Sequence, residues 1–349
     1  MPRLVIDRDT SIHYQCLGQG EDLVLIHGLG ANLAFWYMGI ARRLARQYRV
    51  IMYDLRGHGR SSMPAAGYAL PDMAGDLAVL LTHLEAERAH IVGHSFGARV
   101  GLYFTMAYPD RVKTLTTADT QLSCLQEQVR LGDWPHWQTW KRQLEAQGYH
   151  RLPPENERIN FQMLVHFNQL TQGFAHGALN KTARTPSLKH RDMGNRGARR
   201  WDRLMQTTSA QAELRDENQI TVDRIRQIDV PTLALFGEYS HCLASCEQLN
   251  RFIRPCKVKI LPEVGHFLPA IKPRLFMHSL HHFLQQSHAG PRQVRIRPQA
   301  QPSGIERRIG ERRDLARHSI AYPLTDRDGD LVLFDRRKPL YDPGTISHQ

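Results

Sequence analysis

The chain has 349 residues, 41% of them hydrophobic, and a formal net charge of +12 at pH 7. That length suits one large α/β domain with an insertion, or two domains, and that apolar content supplies a core. No apolar run approaches the roughly 20 residues that span a bilayer. The positive charge gathers at about 181–204 and 292–338, segments short of aromatics for base stacking and without a nucleic-acid motif, so nucleic acid is not an expected partner.

Met1-Pro2-Arg3-Leu4 leads straight into strand-like sequence, so no signal peptide is expected. Ser11–Leu17 alternates as a strand and turns at Gly18-Gln19-Gly20. Leu23–His27 is a continuous apolar strand, followed by a loop at Gly28–Asn32 and a helix over Ala34–Gln47. Arg49–Tyr53 is another buried strand, Asp54–Ser62 a Gly-rich loop, and Met73–Glu85 has helical spacing. Ala89–Gly93 and Val112–Thr117 are further strands, with a helix from Phe96 to about Tyr108 between them. Strands and helices alternating at these lengths imply parallel β-α-β crossovers. A sheet covered on both faces explains strands that are apolar throughout.

The alternation stops near Gln121 and resumes at Pro231–Phe236. A helix over Leu243–Ile253, a strand at Lys257–Leu261 and a helix over Arg274–Gln286 follow. We therefore expect a core in two parts, 1–120 and 228–288, with a helical insertion at 121–227. Ligands of open α/β sheets bind at the C-terminal strand edge, so an insertion there is expected to form a lid. Trp134, Trp137 and Trp140 make one helical stripe in it, suited to packing and also to facing an apolar acyl or aromatic group. The basic run from Lys181 to Arg203 reads as a solvated loop or as a guide for an anionic substrate. Residues 289–349 read as a basic tail, partly disordered or packed on the main domain, with a short strand candidate at Asp330–Phe334. The five cysteines lack a C-x-x-C pair, which fits reduced thiols and a cytoplasmic location. No metal site is expected. His278, His281 and His282 have helical spacing that suits an adventitious metal at most, and the Cys242/Cys246 pair is too few thiols.

Chemistry concentrates at Gly93-His94-Ser95-Phe96-Gly97. A side chain at this strand-to-helix turn points off the end of the sheet, and flanking glycines avoid collision with neighbouring backbone. The helix N-terminus behind Ser95 favours developing negative charge. Ser95 is thus a candidate nucleophile; its other reading is a helix cap. His27-Gly28-Leu29-Gly30 follows a strand, and the N–H groups of Leu29 and Phe96 are candidates for an oxyanion hole. The alternative there is an ordinary glycine turn. His266, in Gly265-His266 after the last strand, is a candidate general base.

Taken with Asp54-Leu55-Arg56-Gly57-His58-Gly59-Arg60-Ser61-Ser62 and Pro231–Gly237, these motifs resemble the α/β-hydrolase family of lipases, esterases, enol-lactonases and carbon–carbon hydrolases. The resemblance covers about residues 4–120 and 228–287. It implies an α/β-hydrolase fold: a mostly parallel eight-stranded sheet, helices on both faces, a helical lid insertion and a Ser-His-acid triad. It argues against haloalkane dehalogenase and epoxide hydrolase, which carry Asp where Ser95 stands. It also implies that Asp54 is structural. One piece departs from the pattern. The family's acid lies in a Gly-x-x-Asp turn, and here that turn reads Gly237-Glu238-Tyr239-Ser240. In the family's sheet order Asp119 ends the strand beside Pro231–Phe236, about 4.8 Å away, and becomes the first candidate acid. Glu238, two positions early in the right turn, is the second. No functional acid at all is the third possibility.

The expected function is a cofactor-independent serine hydrolase cleaving a small ester, thioester or related carbonyl compound. The alternatives are a non-hydrolytic binding protein of the same fold with a decayed triad, and a lyase or cofactor-free oxygenase. The substrate and the oligomeric state are not readable from the residues.

Overall fold

In a computed structural model, described for residues 2–146, 152–159, 163, 199–214, 218–288, 324–325 and 331–332, eight strands form one sheet. They are β1 (Arg3–Val5), β2 (Ser11–Leu17), β3 (Glu21–Ile26), β4 (Tyr48–Tyr53), β5 (Ala89–His94), β6 (Val112–Ala118), β7 (Thr232–Gly237) and β8 (Cys256–Leu261). Their order is β1-β2-β4-β3-β5-β6-β7-β8. The β1–β2 and β2–β4 pairs are antiparallel and all later pairs parallel. β1, an edge strand, lies in the strand-like sequence that opens the chain.

The period of two within each strand sorts the core into two layers. Val24, Ile26, Ile51, Tyr53, Ile91, Leu115, Ala234 and Phe236 face one side. They meet buried residues of the helices Leu70–His83, Phe96–Ala107 and Leu243–Phe252. Leu23, Leu25, Val50, Met52, Val92, Leu233 and Leu235 face the other. There they meet Trp36, Ile40 and Leu44 and, from the helix Pro273–His288, Phe276, Leu280, Phe283 and Leu284. Strands apolar on both faces are what a sheet covered on both sides requires. The helix expected over Ala34–Gln47 is shorter and interrupted. It runs Ala34–Trp36, widens into a π turn at Tyr37–Ala41 and ends at Arg42–Leu44. Gly39, a poor helix former, lies within the π turn.

Two compact units divide the chain, Met1–Arg292 and Gln293–Gln349. Within the second, Leu324–Thr325 pairs antiparallel with Leu331–Val332. The latter lies inside the strand candidate Asp330–Phe334. The rest of the tail reading falls outside the described residues, as do Lys181, Arg184, Lys189, Arg191 and Arg196 of the basic run. No helix among the described residues is long and apolar enough to cross a membrane.

Within 121–227, Leu131, Trp134, Trp137, Leu144, Ile159 and Met163 close a small apolar cluster of their own. Trp134 Nε1 donates to Tyr239 O at 3.2 Å, and Trp137 Nε1 to Glu155 Oε1 at 3.2 Å. These two rings of the tryptophan stripe are packing residues. The Trp140 side chain lies outside the described residues.

Candidate active site

Ser95 sits between β5 and the helix Phe96–Ala107 with φ 55° and ψ −121°. Few non-glycine residues hold positive φ, and such strain clusters at functional sites. Backbone crowding imposes the turn. A Cβ at Gly93 would overlap Gly97 O, and one at Gly97 would overlap the carbonyl oxygens of Ile26 and His27. Ser95 N donates to Ala118 O at 2.9 Å, which ties the turn to the end of β6.

One residue on, the chain turns again at positive φ (49°) on Asp119. Asp119 N donates to Leu235 O at 3.1 Å, so β7 fixes where the carboxylate lies. Oδ2 accepts from Gly237 N at 2.8 Å. Oδ1 accepts from Ser240 Oγ at 2.5 Å and from His266 Nδ1 at 2.9 Å. Asp119 is fully buried. Burial alone would raise its pKa, but the hydrogen bond and charge of His266, with the Ser240 and Gly237 donors, outweigh it and hold the carboxyl below its ordinary value.

His266 arrives from the loop after β8. That loop is held against the turn after β7 by Tyr239 N donating to Val264 O at 2.9 Å and Glu238 N to Leu261 O at 2.8 Å. A carboxylate only accepts, so the Asp119 contact places the imidazole proton on Nδ1 and leaves Nε2 to accept. Nε2 receives Ser95 Oγ–H at 3.0 Å. Glu238 is exposed, and its Oε2 instead accepts from Glu263 N at 2.8 Å.

His94 reinforces this geometry from beneath. Its ring is buried, stacked 4.9 Å from Phe35, and its Nε2–H donates to the His266 carbonyl at 2.7 Å. Burial drives its pKa down to about 3, with the neighbouring His266 adding to the effect, so the donor proton stays in place across neutral pH. Nothing in the residue pattern distinguishes His94 from a core histidine.

The His27–Gly30 loop supplies the opposite wall. His27 Nδ1–H donates to Gly28 O at 2.7 Å and Nε2 accepts from Leu55 N at 3.1 Å. Burial lowers its pKa, in keeping with this neutral tautomer. Leu29, Ser95, Phe96 and His266 all line one cavity of about 1330 Å³. Helix termini leave N–H groups without intrahelical partners, and the Phe96 N–H opens the helix behind Ser95. Asp54 makes no contact with His266. It accepts from Leu33 N, Arg60 N and His13 Nδ1 at 2.7–2.8 Å, which knits its loop to β2. Arg200 braces the same loop, donating to Gly57 O at 3.0 Å and Ser61 O at 2.6 Å. In the sequence Arg200 is one arginine in a basic run, with nothing to single it out.

The insertion contributes Gln126, Arg158, Trp201 and Met205 among others to the cavity wall. Among the described residues the lining includes two arginines, Arg99 and Arg158, and two glutamates, Glu127 and Glu157. Chemically the arrangement offers a hydroxyl, a base oriented by a buried carboxylate, and helix-terminal dipoles around one water-accessible space.

A family model described as alpha/beta hydrolase fold matches residues 23–273. The chain is 32% identical over 143 residues to 3-oxoadipate enol-lactonase 2 of Acinetobacter baylyi, covering 40% of this chain and 51% of that protein. It is 39% identical over 122 residues to fluoroacetate dehalogenase of a Burkholderia species, covering 34% and 40%. The chain thus spans about half the length, or less, of these curated relatives. A solved membrane phospholipase A superposes with a TM-score of 0.63 at 22% identity, over 82% of this chain and 86% of that one. At that identity the likeness is one of fold alone.

Proposed function

The chain belongs to the alpha/beta hydrolase fold family, and on that premise we propose that it is a serine hydrolase forming an acyl-enzyme on Ser95. The observation that carries this reading is the unbroken chain from Ser95 Oγ to His266 Nε2 (3.0 Å) and from His266 Nδ1 to Asp119 (2.9 Å). In it, Ser95 passes its proton to His266 and attacks a carbonyl carbon. The oxygen, now negative, is held by the N–H groups of Leu29 and Phe96. Asp119 keeps the imidazole in the productive tautomer and balances its charge once protonated. His266 then gives that proton to the leaving group, and water resolves the acyl-enzyme by the same steps in reverse. Every proton is handled by the chain's own groups, so the reaction calls for no cofactor.

The substrate class is a small ester, thioester or related carbonyl compound. The two arginines and two glutamates among the described lining residues support a neutral, polar-substituted compound over a strongly anionic one. Residues 121–227 act as the lid that shapes this choice.

A fluorophosphonate probe tests the reading. Labelling of the wild type, abolished in Ser95→Ala and His266→Ala, is the expected result. Labelling that persists in Ser95→Ala identifies a different nucleophile. A folded wild type inert to every serine probe returns the chain to the non-hydrolytic alternative.

A further inference from the structure

The wall beside the proposed triad holds a second set of donors. Cys242 Sγ lies 3.4 Å from His241 Nε2. One donor atom from each of His241, Cys242 and His266 lies within 4.8 Å of the other two. All three residues line the cavity that contains Ser95. Two imidazoles and a thiol match the ligand preference of Zn²⁺ and Cd²⁺, not that of Mg²⁺ or Ca²⁺. Tetrahedral ligands 2.0–2.3 Å from zinc lie roughly 3.3–3.8 Å apart, so shifts of about an ångström close the site.

The backbone under these donors is pinned. Gln126 Nε2 donates to His241 O at 2.6 Å, while its Oε1 accepts from Ser245 N and Ser245 Oγ, both at 2.9 Å. Cys242 N donates to Ser240 Oγ at 3.0 Å. Asp119, bonded to His266, supplies the carboxylate partner common behind metal-bound imidazoles. Its negative charge, with that of a Cys242 thiolate, neutralises a divalent ion.

We propose that His241, Cys242 and His266 form an inhibitory site for a thiophilic divalent cation of the Zn²⁺/Cd²⁺ class. On binding, the Cys242 S–H proton leaves to solvent and an S–metal bond forms. The thiolate sulfur and two imidazole nitrogens replace three metal-bound waters, and no electrons are transferred. Coordination through His266 Nε2 removes the acceptor of the Ser95 proton. Coordination through Nδ1 removes the bond to Asp119. Either way the base is withdrawn. The binding itself is independent of the reaction, while the inhibition rests on the hydrolase reading.

The test is a Cd²⁺ titration of the full chain, followed by thiolate-to-metal ultraviolet absorption, for the wild type, Cys242→Ser and His241→Gln. Fluorophosphonate labelling is run in parallel with and without Zn²⁺. We expect one equivalent of Cd²⁺ to produce an absorption increment that is lost in Cys242→Ser and needs at least about tenfold more Cd²⁺ in His241→Gln. Zn²⁺ stops wild-type labelling, EDTA restores it, and each variant, compared with its own metal-free rate, resists Zn²⁺ by a similar factor. A wild-type increment equal to that of Cys242→Ser overturns the site, as does Cd²⁺ affinity unchanged in His241→Gln. The second comparison stands even where Cys242→Ser fails to fold. Zn²⁺ that binds without slowing labelling overturns the inhibition. A wild type that does not label without metal counts against the hydrolase reading, and the absorption titration still decides the site.

Discussion

Ser240 donates its hydroxyl to Asp119 Oδ1 at 2.5 Å. The position where the family resemblance places an acid thus holds a donor to a carboxylate on the neighbouring strand end. The two strand ends have divided the work. Asp119, just past β6, carries the charge, and the end of β7 and the turn after it supply Gly237 N and Ser240 Oγ to hold it.

Asp119→Asn should lower kcat by about 10⁴ if Asp119 orients and stabilises His266, the loss seen for the equivalent change in the serine-protease template. Glu238→Gln should leave kcat at the wild-type value, because that carboxylate faces Glu263 N. Steady-state kinetics of the two variants, with circular dichroism to confirm folding, separates the candidates; equal losses would refute the assignment.

Moving the acid tests the division of work directly. Ser240→Ala removes a donor to a buried carboxylate and should cost about 1.5–3 kcal/mol in stability. Ser240→Asp alone sets two carboxylates in contact and should be worse. Combined with Asp119→Ser, it should recover activity above either single variant. Urea unfolding and kcat measured on the wild type and all four variants decide it, and a double variant no better than its parents would sink the idea.

His94→Phe keeps a ring against Phe35 but leaves the His266 carbonyl without its donor. A buried acceptor left unpaired costs about 1–3 kcal/mol. Thermal unfolding should report that loss, and kcat should fall more than KM rises, because the base loop is displaced while the substrate wall is not. A variant with wild-type kcat would show that the loop holds His266 unaided.

Acid should unfold the protein through its buried histidines. Burial is the largest cause that brings His58, His94 and His241 each down to about 3, far below the 6.5 of an unfolded histidine. Between those values the unfolded chain binds more protons, so stability rises with pH and is lost as pH falls from about 6.5 towards 3. Each histidine contributes about 1.4 kcal/mol per pH unit, or about 4 kcal/mol for three. Asp119 adds a loss in the same direction at lower pH, because its lowered carboxyl stabilises the fold above about 4 and ceases to do so as pH falls through its folded value. Urea midpoints at pH 7.5, 6.5 and 5.5 check this. A midpoint that stays level below 6.5 would contradict the buried, neutral assignment.

Much of the architecture is legible in the residues because it is local. Leu23–Ile26, Val50–Tyr53 and Ile91–Val92 are apolar runs of strand length, and only a doubly covered sheet buries both their faces. Gly93 and Gly97 mark a turn that admits no Cβ, which singles out Ser95. His266 is recognisable by its place after the last strand.

What only the tertiary structure decided is which distant groups share an atom-to-atom contact. Asp119, Glu238 and no functional acid at all are open at the level of chain order. The choice depends on strand register and on the directions of side chains 119 and 238, through Asp119 N bonded to Leu235 O and Glu238 turned towards Glu263. Arg200, Gln126 and His94 escaped notice for the same reason. Their partners are backbone carbonyls 139–143, 115 and 172 residues away, and a carbonyl leaves no trace in the identity of the residue that carries it. Side-chain type fixes what a residue can do, whereas long-range register fixes to which partner it does it.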